Sequence, residues 1–154
     1  MQWRKKRWII LCIVLVIFSC LIGSRYFRTS WEIEGDGYVI ELPKKWAELV
    51  YKEKDTGAFG DGVYYYVFRL EEGTDFLADF TKEKPSRLTE HLEFGQKCME
   101  EPEKKEIPPE YALKDLEEKG SLYKKIESEK NPSSRTYMIY EEESRLLYAL
   151  SLIF

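Results

Sequence analysis

The residues Trp8 to Gly23, WIILCIVLVIFSCLIG, carry no charge and follow the basic cluster Arg4-Lys5-Lys6-Arg7. Between Arg7 and Arg25 lie 17 uncharged residues. As a helix they reach roughly 25 Å against a hydrocarbon core of about 30 Å, and the two arginines can extend their charged heads outward to bridge the difference. Ile, Val, Leu and Phe dominate the run. Such residues are poor helix formers in water but suit lipid, where each backbone polar group must pair within the segment. Trp3 and Trp8 on one side, and Tyr26, Phe27 and Trp31 on the other, suit the two membrane interfaces. The pattern predicts a cytoplasmic basic tail over 1–7 and a transmembrane helix or signal anchor over 8–24.

Orientation follows from charge. Four basic residues precede the run, whereas only Arg25 and Arg28 follow closely, ahead of Glu32, Glu34 and Asp36. The excess places the N-terminus in the cytoplasm and residues 25–154 outside, a single-pass protein of the cell membrane. Three fates of the segment stay open at this stage. An uncleaved anchor suits its length and the aromatic flanks. A cleaved secretory signal suits the basic and apolar regions, although its apolar part is longer than usual. The third is lipidation: Ile17-Phe18-Ser19-Cys20 resembles a bacterial lipobox, with Phe18 bulky for its position. That resemblance implies that Cys20 would carry lipid and become the new N-terminus.

What remains, about 130 residues, suffices for one domain with a sizeable core. Setting aside the four leading basic residues leaves 20 basic against 28 acidic ones, a net charge of −8. An acidic exterior argues against nucleic acid or an anionic surface as partner. Cys12 and Cys20 lie in the apolar run and Cys98 stands alone outside it, so no disulfide within the domain is expected.

Hydrophobic alternation supplies most of the architecture. Residues 25–36 read as a short stem ending in a Gly-Asp-Gly turn, and Tyr38–Leu42 as a strand closed by Pro43. A helical turn is expected over 43–48, then a strand near 49–54. Asp55–Gly62 reads as a hairpin loop lacking the features of a phosphate or calcium loop. Val63–Leu70, VYYYVFRL, is the strongest strand, apolar on both faces and hence interior. Phe76, Ala78 and Phe80 alternate with Asp75, Leu77 and Asp79, predicting a half-buried strand over 74–81. A short helix is expected over 86–94, capped by Ser86. The stretch 100–110 reads as an exposed loop. Pro109 opens an expected helix over 109–128, split at Gly120. The chain closes with a hairpin, 135–140 and 145–154, whose second arm also admits a helical reading. The sum is an α+β domain over 37–154, an antiparallel sheet with one or two helices covering one face.

Chemistry-bearing residues are few. Asp75 and Asp79 share a face of the expected strand, and a pair of carboxylates around a cleft is the minimum for hydrolysis by acid–base catalysis. His91 is the single histidine, seven residues from Cys98, and a thiol nucleophile would need it alongside as base. Glu100, Glu101, Glu103 and Glu106 form a charge run that a solvated loop explains. No catalytic, cofactor or metal residue is assigned. The expectation is a membrane-anchored, extracytoplasmic, non-enzymatic binding domain, tied to the bilayer through 8–24 and engaging an envelope component. The alternatives are an immunity- or inhibitor-type protein lipidated at Cys20 and an envelope hydrolase using acidic residues.

Overall fold

The computed structural model describes residues 29–57, 61–100, 106–114 and 116–154. The apolar segment 8–24 and Cys20 lie outside them. Among the described residues no helix is long and apolar enough to cross a membrane.

The domain is a small antiparallel β structure of seven strands and two short helices. Strands β1 (Ser30–Glu34) and β2 (Val39–Pro43) form a hairpin of their own. Strands β3 (Ala47–Thr56), β4 (Gly62–Leu70), β5 (Leu122–Glu127), β6 (Arg135–Glu141) and β7 (Leu146–Ile153) make one sheet in the order β3-β4-β7-β6-β5. Helix α1 spans Leu88–Met99 and α2 spans Leu116–Lys119.

Strands β4 and β7 lie inside the sheet, and their sequences show why. A strand with neighbours on both edges and cover on both faces has to be apolar at every position. Val63, Tyr65 and Val67 face one layer, while Tyr64, Tyr66, Phe68 and Leu70 face the other. In β7, Tyr148, Leu150 and Leu152 join the first set, and Leu147 and Ala149 the second. The helical alternative for the C-terminal arm is thereby set aside.

On the first face α1 packs through Leu88, Leu92 and Met99, together with Ile107, Leu113 and Leu116 from the chain that follows. Its approach depends on Gly95, where an added Cβ would come within 3.0 Å of Leu150 Cδ1 and 3.3 Å of Leu113 Cδ1. The helix runs longer than the expected 86–94, and Arg87, not Ser86, occupies the cap position, with φ at 62° and no side-chain cap.

Four expectations fail, each for a tertiary reason. Residues 30–34 are no stem: Ser30–Glu34 pairs with β2, and the hairpin places Ile33 and Leu42 on the second face of the sheet. Both faces are therefore covered, one by helices and one by the hairpin. The expected turn over 43–48 shortens to residues 44–46, with β3 already running from Ala47. Residues 74–81 form no ladder strand. Thr74 accepts a hydrogen bond from the Phe76 amide to open a single 3₁₀ turn, Asp75–Leu77, and Phe76 and Phe80 meet four residues apart at 5.9 Å. Only Thr81 bridges to the sheet, through Tyr123.

The expected helix 109–128 breaks into a 3₁₀ turn at Pro109–Tyr111, the single turn of α2, and strand β5. Gly120 follows the last residue of α2, at a position where Ile139 Cγ2 would stand 2.6 Å from an added Cβ. Beyond it Leu122 and Ile126 alternate onto the second face and pair with β6 from Leu122↔Tyr140 to Glu127↔Arg135. Lys124 and Lys125 on this outer strand suit an unpaired edge.

A line of hydroxyls ties the hairpin to the sheet. Tyr38 Oη lies 2.8 Å from Thr136 Oγ1, which lies 2.8 Å from Ser151 Oγ. Thr136 and Ser151 are buried, so each hydroxyl needs the next.

Candidate ligand-binding grooves

The residues singled out for chemistry do not come together. Asp75 and Asp79 sit on the exposed 3₁₀ turn and the residues after it, and Asp79 pairs at 3.5 Å with Lys124. His91 is buried on α1, with Nδ1 2.7 Å from Tyr137 Oη. Burial first, then the positive charges of Arg135 and Arg87, hold its pKa below the ordinary imidazole value. It therefore stays neutral and serves as a core hydrogen-bonding partner. Cys98 is half-buried against the first core. Glu100 and Glu106 are exposed, and Glu101 and Glu103 lie outside the described residues. Among the described residues no three metal-ligating side chains cluster.

The tyrosines of β4 divide by face. Tyr65 donates to the Tyr111 carbonyl at 2.7 Å and meets Tyr51 edge-on at 6.0 Å, so this part of the aromatic run is core. Burial drives its pKa well above the usual phenol value.

Among the described residues two grooves stand out. The larger, about 690 Å³, runs between α1 and the chain around 113–118, with Leu92 and Leu113 as its apolar lining and Glu93, Lys97, Lys114 and Glu118 around it. Gln96 closes one side by accepting from the Leu113 amide at 3.0 Å. Lys84 reaches Glu117 at 3.7 Å, so charges of both signs rim it.

The smaller groove, about 280 Å³, lies where the β1–β2 hairpin meets β3 and β4, lined by Trp31, Tyr66 and Phe68 with Glu32, Lys44 and Lys52 among its polar residues. Its floor is a run of rings. Tyr66 and Phe68, two apart on one face of β4, hold their rings 11° from parallel at 6.1 Å, and Trp31 stands 6.4 Å from Phe68. Trp31 is fixed from behind, its indole N–H donating to the Ala47 carbonyl at 2.9 Å. The sequence had suggested a place for Trp31 at the membrane interface, whereas the residue belongs to β1 and to this floor.

Lysines cover the rings. Lys44 Nζ lies 4.7 Å from the Trp31 centroid and Lys52 Nζ 4.9 Å from that of Tyr66. Contacts of this kind at exposed sites are worth about 0.5–1 kcal/mol. Glu34, also on the rim, pairs with Lys54 at 3.4 Å. Beneath them Tyr66 is only 1% exposed, and its hydroxyl makes no hydrogen bond. Burial pushes its pKa up to about 12, with the Glu34 backbone beside the hydroxyl partly offsetting the rise. A buried polar group left unpaired costs about 1–3 kcal/mol. Its signal in the sequence is the alternation Tyr64-Tyr66-Phe68, but the first strand of the hairpin beside those rings falls within the expected stem 25–36, and only the second, near 38–42, is expected as strand.

No protein-family model, curated protein or solved structure matches this chain.

Proposed function

We infer that the chain is a single-pass, membrane-anchored extracytoplasmic protein whose domain binds an envelope component without transforming it. Residues 8–24 hold it in the bilayer, with 1–7 in the cytoplasm and the domain outside. The observation that carries this reading is that the first described residues already belong to the domain. The Thr29 carbonyl accepts from the Lys44 amide at 2.8 Å, and Ser30 already pairs with Pro43. Only residues 24–29 separate the apolar run from the domain, a reach of at most about 20 Å.

A domain on so short a tether works close to the bilayer surface, and its open grooves are within reach of molecules there. The binding reading is supported by the separation of Asp75, Asp79, His91 and Cys98 into unrelated settings, and by the two grooves among the described residues. The anchor and the lipid-modified alternative at Cys20 both leave the domain on the same side.

The test is labelling of intact cells with a membrane-impermeant amine reagent, followed by crosslinking and mass spectrometry of the native membrane. Lysines of 44–130 should be labelled without permeabilisation, and crosslinks should join the domain to envelope components. Labelling only after permeabilisation would overturn the topology. The mature N-terminus, read in the same spectra, separates an intact Met1 from a lipidated Cys20.

A further inference from the structure

We propose that the tether end of the domain docks on the bilayer surface, with the Trp46 indole among the lipid headgroups and Lys44 and Lys45 beside their phosphates. The inference rests on the reading of residues 8–24 as the anchor, and adds to it a contact face and an orientation.

The tether enters the domain beside these three residues. The Lys44 amide donates to the Thr29 carbonyl at 2.8 Å, and the Trp46 amide to the Pro43 carbonyl at 2.9 Å. Both bonds lie at one end of the sheet, where Ala47, the first residue of β3, pairs with Leu70, the last of β4. The opposite end holds Thr56, Gly62 and Ile153, roughly 27 Å away along β4. Residues 24–29 reach at most about 20 Å, so the tether holds the first of these ends near the bilayer.

Trp46 suits that place. It is partly exposed and belongs to neither hydrophobic core, whereas Trp31 packs against the second. The Trp31 indole N–H is taken by the Ala47 carbonyl, while that of Trp46 has no partner among the described residues. An amphipathic ring with a donor to spare is stable at headgroup level, its body toward the acyl chains and its N–H toward a phosphate or ester oxygen. Lys45 Nζ stands 4.9 Å from the Trp46 centroid. Beside a bilayer such a lysine extends its ammonium to the phosphates and keeps its stem against the ring.

Charge sets the tilt and not the attachment. At this end Glu48 pairs with Arg69 at 3.7 Å and Glu72 with Arg145 at 3.2 Å. Lys44 and Lys45 are exposed at the β3 corner, with Glu71 close by, its amide donating to the Trp46 carbonyl at 2.8 Å. Glu142 and Glu143 are exposed on the β6–β7 turn, two to three strands over and roughly 10–14 Å away. The domain therefore leans on the β3 corner and keeps the acidic turn clear of the phosphates. A domain of net charge −8 would not be drawn from solution to an anionic surface, but the tether makes the contact intramolecular, so a weak one is populated.

The test takes the full chain, ¹⁵N-labelled, in phosphatidylcholine nanodiscs with and without a lipid that carries a gadolinium chelate on its headgroup. The amide of Gly73, just past β4 at the tether end, should be broadened by the gadolinium, and that of Gly62 at the far end spared. Trp46→Ser and Lys45→Glu should each cut the Gly73 broadening at least twofold while leaving the melting temperature unchanged, since both side chains are at the surface. A domain that merely hangs from its tether would broaden alike in the parent and both variants. That equality overturns the proposal, as does Gly62 broadening as strongly as Gly73. Elution of the chain apart from the discs overturns the anchor itself and the docking with it, so the two failures are told apart.

Discussion

His91 and Thr136 show how polar side chains are accommodated in this domain. His91 sits against Tyr137 with its proton affinity lowered by burial and by Arg135 and Arg87, Glu90 opposing them. As pH falls through about 6.5, the unfolded chain takes up the proton first, so the folded state loses stability until His91 also protonates. The melting temperature should therefore drop more between about pH 7.5 and 5.5 in the parent than in His91→Gln. Thr136 links Tyr38 to Ser151. Thr136→Val removes that link and strands the buried Ser151 hydroxyl, which should cost about 1–3 kcal/mol in denaturant unfolding. Asp75 and Asp79 make the contrasting case. Both are exposed, and the Asp79–Lys124 pair is a surface contact worth about 0–1 kcal/mol. The double variant to asparagine should unfold within about 1 kcal/mol of the parent. A larger loss would show that the turn carries more than its exposure suggests.

Between elements, close approach decides stability at a few glycines. Gly95 lets α1 lie against β7, and its missing Cβ is space already taken by Leu150 and Leu113. Gly95→Val should overpack this contact and destabilise by about 1–3 kcal/mol, read as a lower midpoint at unchanged denaturant slope. Gly120 is more restrictive, since both Ile139 and the Tyr123 ring stand within 3.0 Å of an added Cβ. Tyr123 Oη also lies 2.6 Å from the Gly120 carbonyl and 2.9 Å from that of Glu117, closing the end of α2. Gly120→Ala should push Tyr123 off those carbonyls and cost about 1–3 kcal/mol by the same measurement. The sequence had marked Gly120 as a break, correctly, but placed helix on both sides. LYKKIE has two apolar residues at strand spacing and a tyrosine between them, so its local pattern fits either state. The free edge of β6 chose strand.

For the whole molecule, the two faces of the five-stranded sheet are the organising fact. Helix α1 and the segments after it close one face and the β1–β2 hairpin the other, and the smaller groove is the seam where that hairpin stops short of full cover. The Phe154 end is tied down by the β5–β6 turn: its amide donates to Ser134 Oγ at 2.9 Å, and Asn131 Nδ2 reaches its carbonyl at 2.6 Å. Because the hairpin contributes Trp31 to the lining of the groove, a substitution that loosens it should be felt there. Thr136→Val, which acts on the hairpin through Tyr38, should broaden the Trp31 indole signal in the amide spectrum of the ¹⁵N-labelled protein more than Gly95→Val on the opposite face.

Some of this was present in the chain by itself. Val63–Leu70 and Leu146–Ile153 are apolar at nearly every position, though the second also admits a helix from its sequence alone. The strand pattern of both, the interior place of Val63–Leu70 and the core role of most tyrosines were legible for that reason, as was the apolar run that sets the expected topology. Residues 30–34, 74–81 and 122–127 are short and amphiphilic, and a few local residues leave their states nearly equal in energy. What separated those states was the surface available in the folded domain: a bare sheet face for the hairpin, the edge of β6 for β5, and for 74–81 a single bridge from Thr81 to Tyr123. The groove belongs to the same category. Trp31 and Tyr66 are 35 residues apart, and only the docking of the hairpin onto β4 brings them to one groove.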